Sequence, residues 1–339
     1  MDPADTRHEE LATRLEAAVQ KVRKKHVGLA VGALADGVQA EHAVGVARTD
    51  GHAIDGQTSF QIASVTKAFT ALLLTDAVTR GEVALDQRLD SIIPQAANHP
   101  DGQPITLADL ATHTAGLPRL PPGFRRQARH NRDDPYAHFG ADELIEALRH
   151  PPKRPPGRVR YSNYGGGTLG QALARALGAP FGELVAERIT GPLGMGRTDL
   201  LLASEVDNGT QGHAKPGKPV PDWHFTGLAG AGALRSTVAD LLVFLDAHLH
   251  PTESPLGSAI DLAMPPRVKA RGPIQVALGW FVRTNRDGSA WWWHNGRTSG
   301  FASFVGFDPQ AGTGVVVLAN TTRPVDRLGT KLLKTIHPR

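Results

Sequence analysis

The 339-residue chain contains no cysteine. Disulfides, thiolate metal sites and a cysteine nucleophile are thereby excluded, while the compartment stays open. No window approaches the ~18 apolar residues of a membrane span. Blocks of like charge and low-complexity tracts are missing too, so nothing marks a disordered arm. The net charge is only +4, too little for a nucleic-acid footprint unless it is clustered, and no nucleic-acid partner is expected. Internal repeats are absent. The 15 histidines form no His-x-x-x-His or comparable ligand spacing with partners. The N-terminal stretch MDPADTRHEELATRLEAAV is charged and helix-like, unlike a secretory leader. The expectation is a cytoplasmic chain as it stands, or a periplasmic or secreted one if a leader has been trimmed.

What is present is ordinary globular material, 40% hydrophobic and 21% charged, enough for about two domains or one large one. Two basic clusters stand out, KVRKKH at 21–26 and RLPPGFRRQARHNR at 119–132. The first ends a predicted helix, where cations suit the dipole. The second is irregular and Pro-containing. Both read first as solvated surface; a lesser reading makes the second the rim of a binding site.

Helical periodicity over 5–26 (Leu11, Leu15, Ala18, Val19, Val22) predicts an amphipathic helix. GLAVGALADG and VQAEHAVGVA then read as two strands around an Asp36-Gly37 turn. A long apolar helix begins near Ser64 and stops at Arg80-Gly81. From about 86, short helical pieces alternate with Pro- and Gly-rich connectors such as PPKRPPG. ALRSTVADLLVFLDAHL reads as another helix, followed by four strand-like runs, IQVALGWFV, SAWWWHN, FASFVGFDP and GTGVVVLAN, with turns at Asp287-Gly288 and Ala311-Gly312. A helix, DRLGTKLLKTI, closes the chain. That order predicts an α/β (α+β) fold. Its sheet is split in sequence and flanked by N- and C-terminal helices, with a helical domain inserted. The predicted units are 1–85 with 225–339, and 86–224.

In FQIASVTKAFTALLL, Ser64 precedes Lys67 by three residues, so hydroxyl and amine share a helix face. A serine hydroxyl needs a base to become a nucleophile. A lysine serves as one only where burial and the helix N-terminus disfavour the ammonium. Taken alone, Ser-x-x-Lys is weak, the bland alternative being a cap serine and a surface lysine. The apolar flanks Phe69, Leu72 and Leu73 favour a buried Lys67. A second piece, PGRVRYSNYGGGTLG, carries Tyr161 and Asn163 on a turn that opens a helix. The phenol there is a candidate proton shuttle, against a packed tyrosine at a domain junction. A third piece, WWWHNGRTSGF, puts His294 and Gly296 on one side of a strand. Glycine there allows close approach to another backbone. His294 reads as cation, donor or base, or as a buried histidine beside an aromatic cluster. His113 in ATHTAG reads as structural.

Together the three pieces resemble the serine β-lactamase and penicillin-binding protein superfamily, and within it the class C β-lactamase, DD-peptidase and esterase group. LATHTAGLP, PGRVRYSNYG and AGALRSTVADLLVF are similar as well, and the likeness spans nearly the whole chain. It implies an antiparallel sheet of β-lactamase/transpeptidase type, with the active site in a cleft between the two domains. Residue by residue, it implies Ser64 as the acylated nucleophile, and Lys67 and Tyr161 as the proton relay. Asn163, His294, Asn295 and Gly296 would bind substrate, and the backbone N–H groups of Ser64 and Arg297 would form the oxyanion hole. It implies no metal and no cofactor. The expected activity is cleavage of small esters, amides or D-amino-acid peptides through an acyl-enzyme. The alternatives are a class C-type β-lactamase and a slow-acylating penicillin-binding sensor. One departure bears on substrate: Lys-Thr-Gly of such β-lactamases is replaced by His294-Asn295-Gly296, which removes a firm cation and a hydroxyl for a carboxylate. Efficient β-lactam hydrolysis is therefore not expected. Loops 119–132 and 215–223 are where substrate choice is expected to lie.

Overall fold

The computed structural model describes residues 3–35, 37–48, 51–200, 210–214, 217–286 and 288–336. The turn residues Asp36 and Asp287, and the first two residues of the 215–223 loop, lie outside that set.

Eight strands form one antiparallel sheet: β1 (Gly28–Ala35), β2 (Val38–Gly45), β3 (Val268–Lys269), β4 (Ile274–Val276), β5 (Phe281–Thr284), β6 (Ala290–Arg297), β7 (Ala302–Asp308) and β8 (Thr313–Ala319), in the spatial order β2-β1-β8-β7-β6-β5-β4-β3. The first and last strands in sequence meet in its middle, with Leu29 opposite Ala319 and Ala35 opposite Thr313. Strand β8 is buried along its whole length, as a near-continuous apolar run requires when both faces are covered. Its alternate side chains serve two cores. Val315 and Val317 belong to the cluster that holds Leu11, Leu15 and Val19 of helix α1 (Pro3–Gln20). Val316 and Leu318 face the cluster that holds Phe69 of α2 (Thr66–Thr79) and Leu241 and Leu245 of α4 (Val238–Leu249). Helix α5 (Asp326–Thr335) adds Leu328 and Leu332 to the α1 side.

The short helices between 89 and 190, with the longer α3 (Asn163–Leu177), pack on the α2 side and share its hydrophobic cluster through Leu107, Leu144, Leu169 and Leu184. Helix α2 is buried at every position from Thr66 to Ala77, the pattern of a core helix. Among the described residues no helix is long and apolar enough to cross a membrane.

Two elements differ from expectation. The run 233–249 is not one helix. Leu234–Ser236 is a strand paired with Phe60–Gln61, and the Thr237 side chain accepts from Asp240 N to start α4. A β-branched hydroxyl residue suits that cap better than a helix interior. The run 274–282 is two strands, because Gly279 takes φ 76° and Ala277 N donates to Trp280 O across a tight turn.

Candidate active site

The strand Phe60–Gln61 delivers the chain into a 3₁₀ turn, Ala63–Val65, at the head of α2. Ala63 is held at φ 48°, a left-handed conformation that costs a non-glycine residue ~1–2 kcal/mol. The surroundings enforce it. Ile62 N donates to Leu234 O (3.0 Å), Leu234 N to Thr66 Oγ1 (3.1 Å), and Ser303 Oγ of β7 to Ile62 O (2.7 Å). Ser64 is thus presented to a cleft of about 690 Å³ by a clamped, strained turn.

Lys67 lies one turn further on and is only 4% exposed. Its Nζ sits 2.7 Å from Ala231 O, 3.0 Å from Asn163 Oδ1 and 3.2 Å from Ser64 Oγ. Two of these partners can only accept, and the third is a hydroxyl that can donate. An ammonium would donate to all three oxygens; a neutral amine, with two N–H bonds and one lone pair, would donate to Ala231 O and Asn163 Oδ1 and turn its lone pair to Ser64. Burial, and then the Arg119 charge, hold the Lys67 pKa well below the usual lysine range. Gly166 makes room for the amine's stem: a Cβ there would lie 2.9 Å from Lys67 Cε.

Helix α3 supplies the facing wall. Ser162 caps it, accepting from Gly165 N (2.8 Å) and donating to Pro118 O (2.6 Å). The next N–H groups, of Asn163 and Tyr164, both donate to Arg119 O. Asn163 spends its oxygen on Lys67 and its Nδ2 on Tyr136 Oη at 3.0 Å. Tyr161 lines the cleft with Ser64, and its ring centroid is 4.9 Å from Lys67 Nζ and 5.3 Å from Arg119 Cζ. Burial raises the Tyr161 pKa, outweighing the opposing effects of Ser64 and Arg119. The phenol therefore keeps its proton at neutral pH. Behind it, His113 accepts from Ser162 N (3.4 Å), and burial holds this imidazole neutral.

Strand β6 forms the third side. A Cβ on Gly296 would lie 2.2 Å from Ile62 O, 2.5 Å from Ser303 Oγ and 2.9 Å from Ser64 N. Only glycine lets this strand lie against the Ser64 turn. Gly296→Ala is expected to push β6 away, lowering kcat/KM about 10- to 100-fold and stability by ~1–3 kcal/mol. Ester kinetics and a urea melt on the same preparation check both numbers.

His294 is not part of the cleft wall. It is 1% exposed, and its ring packs near Phe281 (5.6 Å) and Tyr161 (6.2 Å). Burial, then the Lys67 charge, lower its pKa to about 3. Of the readings that the sequence left open for His294, this geometry matches the buried histidine beside aromatic rings, a neutral imidazole behind Tyr161. Asn295 and Arg297 do line the cleft, but by strand alternation they project to the sheet face opposite His294. Asn295 Nδ2 donates to Asp326 Oδ1 at the start of α5. Arg297 therefore does not replace the missing lysine.

Ser64, Lys67, Tyr161 and Asn163 are brought together as the sequence pattern suggested. The pattern did not single out Tyr136, nor the aromatic side it forms with Phe225 (centroids 4.2 Å) and Trp223 (5.2 Å). Arg119 had figured only as the first residue of a basic loop, the available signal being its place directly after LATHTAGLP. Tyr136→Phe removes the acceptor of Asn163 Nδ2. It is expected to cost about 1 kcal/mol of stability and several-fold in kcat/KM, measured side by side with the parent. Among the described residues no group of three or more acidic or histidine side chains could hold a metal ion.

A family model described as Beta-lactamase matches residues 12–335. The chain is 28% identical over 333 residues to a beta-lactamase of Pseudomonas fluorescens, covering 88% of this chain and 89% of that protein. It is 27% identical over 294 residues to the D-alanyl-D-alanine-carboxypeptidase/endopeptidase AmpH of Escherichia coli (strain K12), covering 79% and 72%. Among solved structures, the beta-lactamase/D-alanine carboxypeptidase from Pseudomonas syringae superposes with a TM-score of 0.83 at 25% identity, over 97% of this chain and 100% of that one.

Proposed function

The chain belongs to the beta-lactamase family and is a serine hydrolase; from that premise we propose that Ser64 is its nucleophile, cleaving small esters and amides, D-amino-acid peptides among them. The observation that carries this reading is the contact set of Lys67. A buried amine with two acceptors and one hydroxyl around it is a base aimed at Ser64.

In the proposed cycle, Ser64 Oγ attacks the substrate carbonyl as its proton passes to Lys67 Nζ. The oxyanion that forms faces the backbone N–H groups of Ser64 and Arg297, donors already fixed before reaction. Tyr161, still protonated, gives its proton to the leaving oxygen or nitrogen and is resupplied by the Lys67 ammonium. The leaving group departs as an alcohol or amine, and the acyl group stays on Ser64. Water then adds to the acyl carbonyl with the same groups working in reverse, releasing a carboxylic acid and restoring Ser64. Asn163, held from behind by Tyr136, fixes Lys67 and offers polar contact to the substrate.

The neutral His294 favours a second reading for β-lactams: slow acylation without efficient turnover. Their carboxylate would meet no cation at that position. Time-resolved intact mass spectrometry after mixing with benzylpenicillin, beside p-nitrophenyl butyrate turnover, tests both readings. A persistent adduct together with steady ester turnover is expected. Rapid accumulation of hydrolysed penicillin would make the protein a true β-lactamase instead. A chain that forms no adduct and turns over neither esters nor D-amino-acid amides would overturn the proposed substrate class.

A further inference from the structure

The basic segment 119–132 carries five arginines and no acidic residue. The fold gathers four of them, Arg119, Arg125, Arg126 and Arg129, around a groove of about 590 Å³ floored by Leu120 and Pro121. Arg119 lines both this groove and the cleft that holds Ser64, so the two spaces adjoin. The arrangement is anchored. Arg119 O receives two N–H groups from the start of α3. Phe124, 4% exposed, packs on Tyr136 (4.8 Å) and Phe139 (5.4 Å), which turns the flanking arginines outward. Among the described residues none of the four guanidinium groups is paired with a carboxylate. Some arginines elsewhere are paired, as Arg188 with Glu82 and Asp76, and Arg88 with Asp90.

Four cations lining one groove without counter-ions, next to the cleft of Ser64, select for negative charge. We propose that the groove is an anion subsite, taking an oxyanion-bearing tail of the substrate whose carbonyl lies at Ser64. This deepens the hydrolase reading above and rests on it. Guanidinium forks match carboxylates and phosphates alike. The acidic peptide is the form closest to the proposed substrate class, and the phosphorylated tail is the second source of the same chemistry. The charge sits on exposed side chains, so its effect acts on binding and encounter and weakens with salt.

The test uses matched p-nitrophenyl esters of N-acylated D-alanine with a triglutamyl, a triglutaminyl or a phosphoserine-containing tail. At low ionic strength the full chain is expected to favour the triglutamyl over the triglutaminyl ester at least ~10-fold in kcat/KM, through KM rather than kcat. The preference should shrink in 0.5 M salt. In R125A/R126A/R129A it should fall to within about two-fold, with p-nitrophenyl butyrate turnover unchanged. A larger preference for the phosphoserine tail would identify phosphate as the charge selected. Equal rates for the two peptide tails, or a preference that survives the triple variant, would overturn the subsite. Fluorescence anisotropy of the dye-labelled triglutamyl and triglutaminyl peptides on Ser64→Ala protein reads the groove without catalysis. Absence of ester turnover in the parent chain, together with arginine-dependent peptide binding, would thus fault the catalytic reading and leave the groove standing.

Discussion

Ser64→Ala is expected to lower ester turnover by about 10⁵- to 10⁶-fold, the scale seen when an activated nucleophile is removed, and to abolish any acyl adduct. No neighbouring group is placed to take over. The chain has no cysteine. Ser162 is committed to capping α3 and to Pro118 O, and Ser303 to Ile62 O. The substitution should also be gentle on the fold. The turn is held by backbone bonds, by Thr66 and by Ser303, none of which uses the Ser64 hydroxyl. An unchanged melting curve with lost turnover is therefore expected. Measuring both on one preparation separates a catalytic defect from a folding one. Undiminished turnover in a folded variant would sink Ser64 as the nucleophile.

Lys67→Ala is expected to cost about 100- to 10,000-fold in kcat/KM, the range for a lost acid–base group. Its pH dependence carries a sign. The reactive form is the neutral amine, and burial puts the Lys67 pKa well below the ordinary value. Activity should therefore rise with pH through that lowered pKa and be established well before an ordinary lysine would deprotonate. Tyr161 acts in the opposite sense. Burial raises its pKa, so the phenol needed as donor persists toward alkaline pH. His113 and His294 are held neutral by burial and should contribute no limb near the usual histidine pKa. In Lys67→Ala the residual rate should lose the acidic limb that Lys67 sets. A variant that keeps both its rate and its limb would show that another group takes the serine proton. Tyr161→Phe provides the companion measurement, with a loss of at least about 100-fold expected from the missing donor.

The neutral state of Lys67 follows from where the helix lies. Its amine is surrounded by Ala231 O, Asn163 Oδ1 and Ser64 Oγ, with the Arg119 charge nearby. Replacing Lys-Thr-Gly by His294-Asn295-Gly296 keeps the glycine, which contact with the Ser64 turn requires. It leaves Arg119, on the α3 side, as a cation lining the cleft away from the third motif. Substrate preference would then be set beside Arg119 rather than at the third motif.

What the sequence by itself determined were features with a local cause. Three-residue spacing on a helix brought Ser64 and Lys67 to one face. Two-residue alternation put His294 and Gly296 on one side of β6. Apolar runs marked the buried strands β7 and β8, and Gly81, at φ 73°, marked the end of α2. The ordered motifs were sufficient to recognise the family. Errors fell where a short polar element was absorbed into an apolar pattern. Arg235 and Ser236 belong to a strand because Gln61 and Phe60 pair with them, and nothing in their own neighbourhood indicates that partner.

The tertiary structure alone decided the electrostatics. Lys67 finds Asn163 at a separation of 96 residues and Ala231 at 164. Asn163 finds Tyr136, and the loop arginines find one another around a groove. Desolvation and pairing depend on which distant segments close over a group, and residue type does not encode that. For this reason His294, at the position where relatives carry a lysine, is a buried neutral ring, and Arg119, written as the edge of a basic loop, lines both the cleft of the reacting serine and the groove of three further arginines.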